Sequence, residues 1–183
     1  MKTRIIILLI SLSLNSFGQI QARKEWPISI QKEFNSIINK KRIDTVLVYY
    51  AYLGTWTNLP DSCNNISSVW IIWKTHNRFY YQQLPCQSNV NNKAKEFSGK
   101  SFEYFQKHYK DSYKLKQEYF NKVKSIPIET DGIVEYLIYM TKDDNIPFTI
   151  SSLQRTKNKG KTFKWDKFVI NTIDTIKKEL KNE

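Results

Sequence analysis

The sequence predicts one α+β domain: a five-stranded, mainly antiparallel sheet with amino-terminal, central and carboxyl-terminal helices, in the order α-β-β-β-α-β-β-α. Three observations predict it. The apolar period switches between 3.6 and 2 residues along the chain. Neighbouring strand-like runs are joined by short polar turns, which suits antiparallel pairing. The 183 residues, 40% of them hydrophobic, suffice for one buried core and leave no linker long enough for a second domain. No internal repeat is present.

Each element follows from its own pattern. After Trp26-Pro27, the residues Ile30, Phe34, Ile37 and Ile38 form one stripe of an amphipathic helix. Ser29 is placed to cap its start, and Lys40-Lys41-Arg42 suits its carboxyl end. Ile43–Leu53 is apolar on both alternating faces, which predicts a central strand covered on both sides. A polar loop over 55–67 leads to strands at Ser68–Lys74 and Arg78–Leu84, joined by a tight turn at Thr75-His76-Asn77. Pro85 ends that hairpin, because proline removes a donor from the ladder.

Gln87–Lys95 reads as a second polar loop. From Ser98 to Lys124 the period lengthens, with Phe102, Phe105, Tyr109, Tyr113, Phe120 and Val123 on one helical face. Asp111-Ser112 marks an optional break there, since both residues favour caps. Ile133–Thr141 and Pro147–Leu153 read as two further strands around the turn Lys142-Asp143-Asp144-Asn145. From Asp166 onward, Val169, Ile173, Ile176 and Leu180 define a closing helix with lysines in its last turns.

Residues 1–18 stand apart from the fold. Lys2 and Arg4 precede the apolar run Ile5–Leu14, and small Ser16 and Gly18 follow. A charged start, a short greasy core and a small-residue end are the order of a cleavable signal peptide. The run is too short for a bilayer span of about 20 residues. The cut is expected after Gly18, with Ala22 as a second site, and 19–183 is then the single α+β domain. Export places the protein in the periplasm or outside the cell, with no integral membrane span after cleavage.

Lysine and arginine outnumber acids by 29 to 17, a formal net charge of +12. Loss of Lys2 and Arg4 with the signal peptide leaves +10, since residues 1–18 contain no acid. Such a basic protein favours an anionic polymer or an acidic protein as partner.

The inventory for catalysis is thin. Gly54, Gly99, Gly132 and Gly160 are isolated, so no phosphate-cradling loop is present. His76 and His108 lie far apart and no paired-cysteine motif occurs, so neither a metal nor another cofactor is expected. Glu103, Glu118, Asp131 and Glu135 offer carboxylates, but no spacing singles out a pair. Cys63 beside a histidine would make a thiol nucleophile. In an exported chain the simpler reading is a Cys63–Cys86 disulfide across the ends of the predicted hairpin.

Two surface signals remain. Tyr49, Tyr50, Tyr52, Trp56, Trp70, Trp73, Tyr80 and Tyr81 crowd the first three strands, where alternation turns about half of them inward. Aromatics left outside would stack on sugars or bases, or anchor a protein. The second signal is 155–167, with six cations, one acid and two aromatic residues. Arg155, Lys157, Lys159, Lys161 and Lys164, with Trp165 beside them, are the expected anionic-ligand contacts. A lysine-rich loop that is merely solvated is the competing account.

These features read as a non-catalytic exported binding protein of the bacterial envelope or extracellular space, with an inhibitor or immunity factor as one form. A carboxylate-dependent envelope glycan hydrolase and a structural or assembly factor are the alternatives.

Overall fold

A computed structural model describes residues 20–54, 66, 68–86, 93–122, 132–152, 155 and 164–181. The chain is α+β, and its described residues form one antiparallel sheet of six strands in the order β4-β3-β2-β1-β5-β6. The elements are α1 (Ile28–Lys41), β1 (Thr45–Gly54), β2 (Ser68–Thr75), β3 (Arg78–Pro85), β4 (Lys95–Phe97), α2 (Lys100–Lys122), β5 (Gly132–Thr141), β6 (Asn145–Ser151) and α3 (Lys164–Lys181). No helix among the described residues is long and apolar enough to cross a membrane.

The sheet has six strands rather than the expected five. The additional one, β4, pairs Phe97, Glu96 and Lys95 with Phe79, Tyr80 and Tyr81 of β3. It starts at Lys95, the last residue of the expected polar loop, and ends just before the helix expected from Ser98; three residues are too few to show a period of two. Only Phe97 is buried, while Lys95 and Glu96 are exposed. Charged residues on an outer strand discourage pairing with another chain. At the other edge, β6 carries Pro147, which an edge strand accommodates because one side of its ladder is unpaired.

β1 is central, and its two-faced apolar pattern explains why. Val46, Val48 and Tyr50 face one core, Leu47 and Tyr49 the other. β1 pairs with β5 from Thr45↔Thr141 to Gly54↔Gly132. In the β2–β3 hairpin, Thr75 pairs with Arg78. His76 and Asn77 have φ of 49° and 62°, as a two-residue turn with both central residues left-handed requires.

α1 covers one face. Ile30, Phe34 and Ile38 pack with Trp26 over Val46, Val48, Tyr50, Ile71 and Ile138. Trp26 meets Phe34 edge-on at 5.2 Å and Tyr50 at 5.7 Å between ring centroids. Full burial of each such side chain stabilises by about 2 kcal/mol. Ser29 does not cap the helix as expected. Pro27 occupies the cap position without a side-chain bond, and Ser29, inside the first turn, donates its hydroxyl to the Cys86 carbonyl at 3.1 Å.

α2 and α3 cover the opposite face. Phe102, Phe105, Phe168, Val169, Ile173 and Ile176 pack on Leu47, Ile72, Leu137, Phe148 and Ile150. α2 runs unbroken through Asp111-Ser112 for 23 residues, about 34 Å. Ser112 is buried and Asp111 exposed, so the pair fits the helix's two sides and needs no cap. The Phe105 and Phe168 rings, 5.3 Å apart, join the two helices.

Candidate functional site

Among the described residues, a largely buried polar constellation gathers around Glu135. On β5 it shares a face with Leu137 and Tyr139, both buried beneath α2 and α3, and its side chain is only 6% exposed. A lone carboxylate there would be costly. Three donors offset that cost. Tyr49 on β1 donates its hydroxyl at 2.9 Å, Lys177 on α3 places Nζ at 2.6 Å, and Arg155 donates Nε to the second oxygen. Arg155 Nη1 also bonds Asp174 on α3 at 2.9 Å.

Burial pushes the Glu135 carboxyl up. The hydrogen bonds from Lys177 and Tyr49, with the Arg155 charge, outweigh burial and hold it below the usual glutamate range. Tyr49 is pushed well above an ordinary phenol, by burial first and then by Glu135. Glu135 is therefore an ionised, saturated acceptor, and Tyr49 a neutral donor. Neither is poised to exchange a proton near neutrality. What the arrangement does is clamp Arg155 and α3 onto the sheet.

That clamp places the ends of the basic segment. Arg155, expected as an anionic contact, gives its guanidinium to Glu135 and Asp174. Trp165 is 4% exposed and belongs to the core beneath α3. Lys164 opens α3. Lys157, Lys159 and Lys161 lie outside the described residues, as do Cys63, Trp56 and Asp131. The structure thus brings Arg155 and Trp165 into the fold as anchors on either side of residues 156–164.

The strand aromatics go mostly inward. Tyr49, Tyr50, Trp73 and Tyr81 are buried, and Tyr52, Trp70 and Tyr80 are half-buried. Among the described residues the exposed aromatic side chain is Tyr104 on α2, 38% exposed. It sits 4.7 Å from the His108 ring and 5.8 Å from Phe168. Lys107, Lys110 and Lys114 are exposed on the same helix, and Lys167, Lys178 and Lys181 on α3. Glu103, Asp111 and Glu118 are exposed on the same layer and the Asp174 side chain is 48% exposed, so among the described residues the exposed cations still outnumber the exposed acids. The spacing of Lys107, Lys110 and Lys114 at i, i+3 and i+7 was the sequence signal for this surface.

Elsewhere, Ile20–Glu25 and Met140–Asn145 enclose a depression of about 480 Å³. Its carboxylates, Glu25, Asp143 and Asp144, are exposed, and Glu25 pairs with Arg23. Glu103 and Glu118 stand exposed on α2, apart from Glu135. Among the described residues no group of three or more His, Cys, Asp or Glu is placed to hold a metal ion. His76 is exposed in its turn and His108 is half-buried against Tyr104. Neither a protein-family model nor a curated protein matches this chain.

Proposed function

We propose that the protein is an exported, non-catalytic binding protein of the bacterial envelope or extracellular space. It takes an anionic polymer or an acidic protein on a basic surface, the latter as an inhibitor or immunity factor would. The observation that carries the reading is an excess of exposed cations on one helical layer. Lys107, Lys110, Lys114, Lys167, Lys178 and Lys181 are exposed on the α2–α3 layer, whereas Glu135 is buried beneath it. Of the two acids paired with Arg155, Glu135 is withdrawn from the surface, and exposed cations outnumber exposed acids on the outer face.

In this reading residues 1–18 are the signal peptide, and Lys157, Lys159, Lys161 and Lys164 extend the basic surface between the anchors Arg155 and Trp165. Fixed ends lower the ordering cost of binding. A Cys63–Cys86 disulfide belongs to the same account. Its support is that Cys86 is 5% exposed at the end of β3 and shares a core cluster with Ile66, three residues from Cys63. Ser68 pairs with Pro85, which brings the chain entering β2 alongside Cys86.

Titrating the secreted protein with a sulfated glycan, duplex DNA and an acidic protein at several salt concentrations tests the reading. Binding that weakens steeply with salt supports it. Salt-independent binding, or turnover of a glycan without such binding, contradicts it.

A further inference from the structure

The chain ahead of α1 is built into the core. Ile20 is 5% exposed and Trp26 is fully buried, in one cluster with Tyr50, Ile138 and Met140. Ala22 packs against the same cluster, and its backbone N–H donates to Asn35 Oδ1 on α1 at 2.9 Å. Gln31 Nε2 donates to the carbonyls of Lys24 at 3.2 Å and Trp26 at 2.6 Å. Residues 20–26 therefore form a strap tied to α1 by side-chain burial and by hydrogen bonds.

The sequence offers two export cuts, after Gly18 and after Ala22. A cut after Ala22 would remove the buried Ile20 side chain and the donor to Asn35. It would also uncover apolar surface beside Met140 and start the chain on a charged ammonium at Arg23. A cut after Gly18 leaves every one of these contacts in place. We propose that processing hydrolyses the Gly18–Gln19 bond and that Ile20–Ala22 is a structural strap of the mature domain. A signal endopeptidase of the exporting cell adds water across that bond, giving the Gly18 carboxylate and the Gln19 amine. The cut rests on the export reading above; the role of the strap does not.

The test is the intact mass and amino-terminal sequence of protein recovered outside the cytoplasm of a secreting bacterial host expressing the full chain. A start at Gln19 is expected, and a start at Arg23 overturns the proposal. Retention of Met1 overturns the cut together with the export reading. Thermal melting of the Ile20→Ser variant judges the strap separately. A fall in Tm of about 6 °C is expected from loss of one buried aliphatic side chain in a domain of this size. An unchanged Tm overturns the strap, wherever the cut falls.

Discussion

Glu135 and Arg155, twenty residues apart in the chain, form an ion pair in which the carboxylate is almost wholly buried and the guanidinium is shared with Asp174. Replacing Glu135 with Ala leaves Arg155 and Lys177 without their buried acceptor. The expected cost is about 3 kcal/mol, read from urea unfolding. The sign with pH is determined by the depressed carboxyl. Its contribution is complete above the ordinary glutamate value of about 4.3 and is lost as pH falls through the lower folded value. The stability gap between the wild type and Glu135→Ala should hold from neutrality to about pH 5 and narrow below about pH 4. A gap that widened in acid would contradict this account.

The Glu179 carboxylate caps α2 from the last turns of α3. It accepts the backbone N–H groups of Lys100 at 2.9 Å and Ser101 at 3.2 Å, with the Ser98 hydroxyl beside them. Near the carboxyl end of its own helix a negative charge is unfavourable, but at the amino end of α2 it is favourable. Glu179→Ala should cost about 1 kcal/mol and Glu179→Gln less, since the amide keeps an acceptor. Equal stability of all three proteins would remove the cap from the account.

Gly99, which enters α2, has φ +71°, and a Cβ there would come within 2.1 Å of Phe79 ring atoms. That ring is confined by Phe97 at 6.3 Å and Phe102 at 5.7 Å between centroids. Gly99→Ala combines a strained backbone with overpacking and should lose about 3 kcal/mol or fail to fold. A chemical melt matching the wild type would show that the ring yields.

The proposed Cys63–Cys86 bridge predicts that unfolded, unreduced protein from an oxidising compartment has no thiol reactive to Ellman's reagent. Reduction should release two. Cys86→Ser should cost about 3 kcal/mol on the chain-entropy estimate. Two thiols reacting before reduction would exclude the bridge.

How far the sequence carries depends on how local each feature is. The two-faced apolar pattern of Val46–Tyr50 placed β1 at the centre, and the short turn at His76-Asn77 gave the hairpin its register. Those are local signals. β4 escaped because Lys95, Glu96 and Phe97 acquire a strand's meaning only beside Phe79, Tyr80 and Tyr81. The Glu135 clamp escaped for a related reason. Its members come from β1, β5, position 155 and α3, and meet only once the register Tyr49↔Leu137 is set. Arg155 looked like a surface cation because neighbouring lysines dominate its surroundings in the sequence, whereas its partners are remote in the chain.

The central claim is that the basic surface binds anions. Its most direct measurement is the salt dependence of affinity for duplex DNA, used as a polyanion probe, in the wild type and in Lys157→Ser/Lys159→Ser/Lys161→Ser. Each phosphate contact contributes close to one unit to the slope of log affinity against log salt. The triple variant should bind more weakly and flatten that slope by about three units. Its stability is expected to remain within about 0.5 kcal/mol, the usual range for surface substitutions that touch no packing, cap or buried polar group. An unchanged slope in a folded triple variant would show that Lys157, Lys159 and Lys161 take no part in binding, and salt-independent binding or no binding by the wild type would contradict the account.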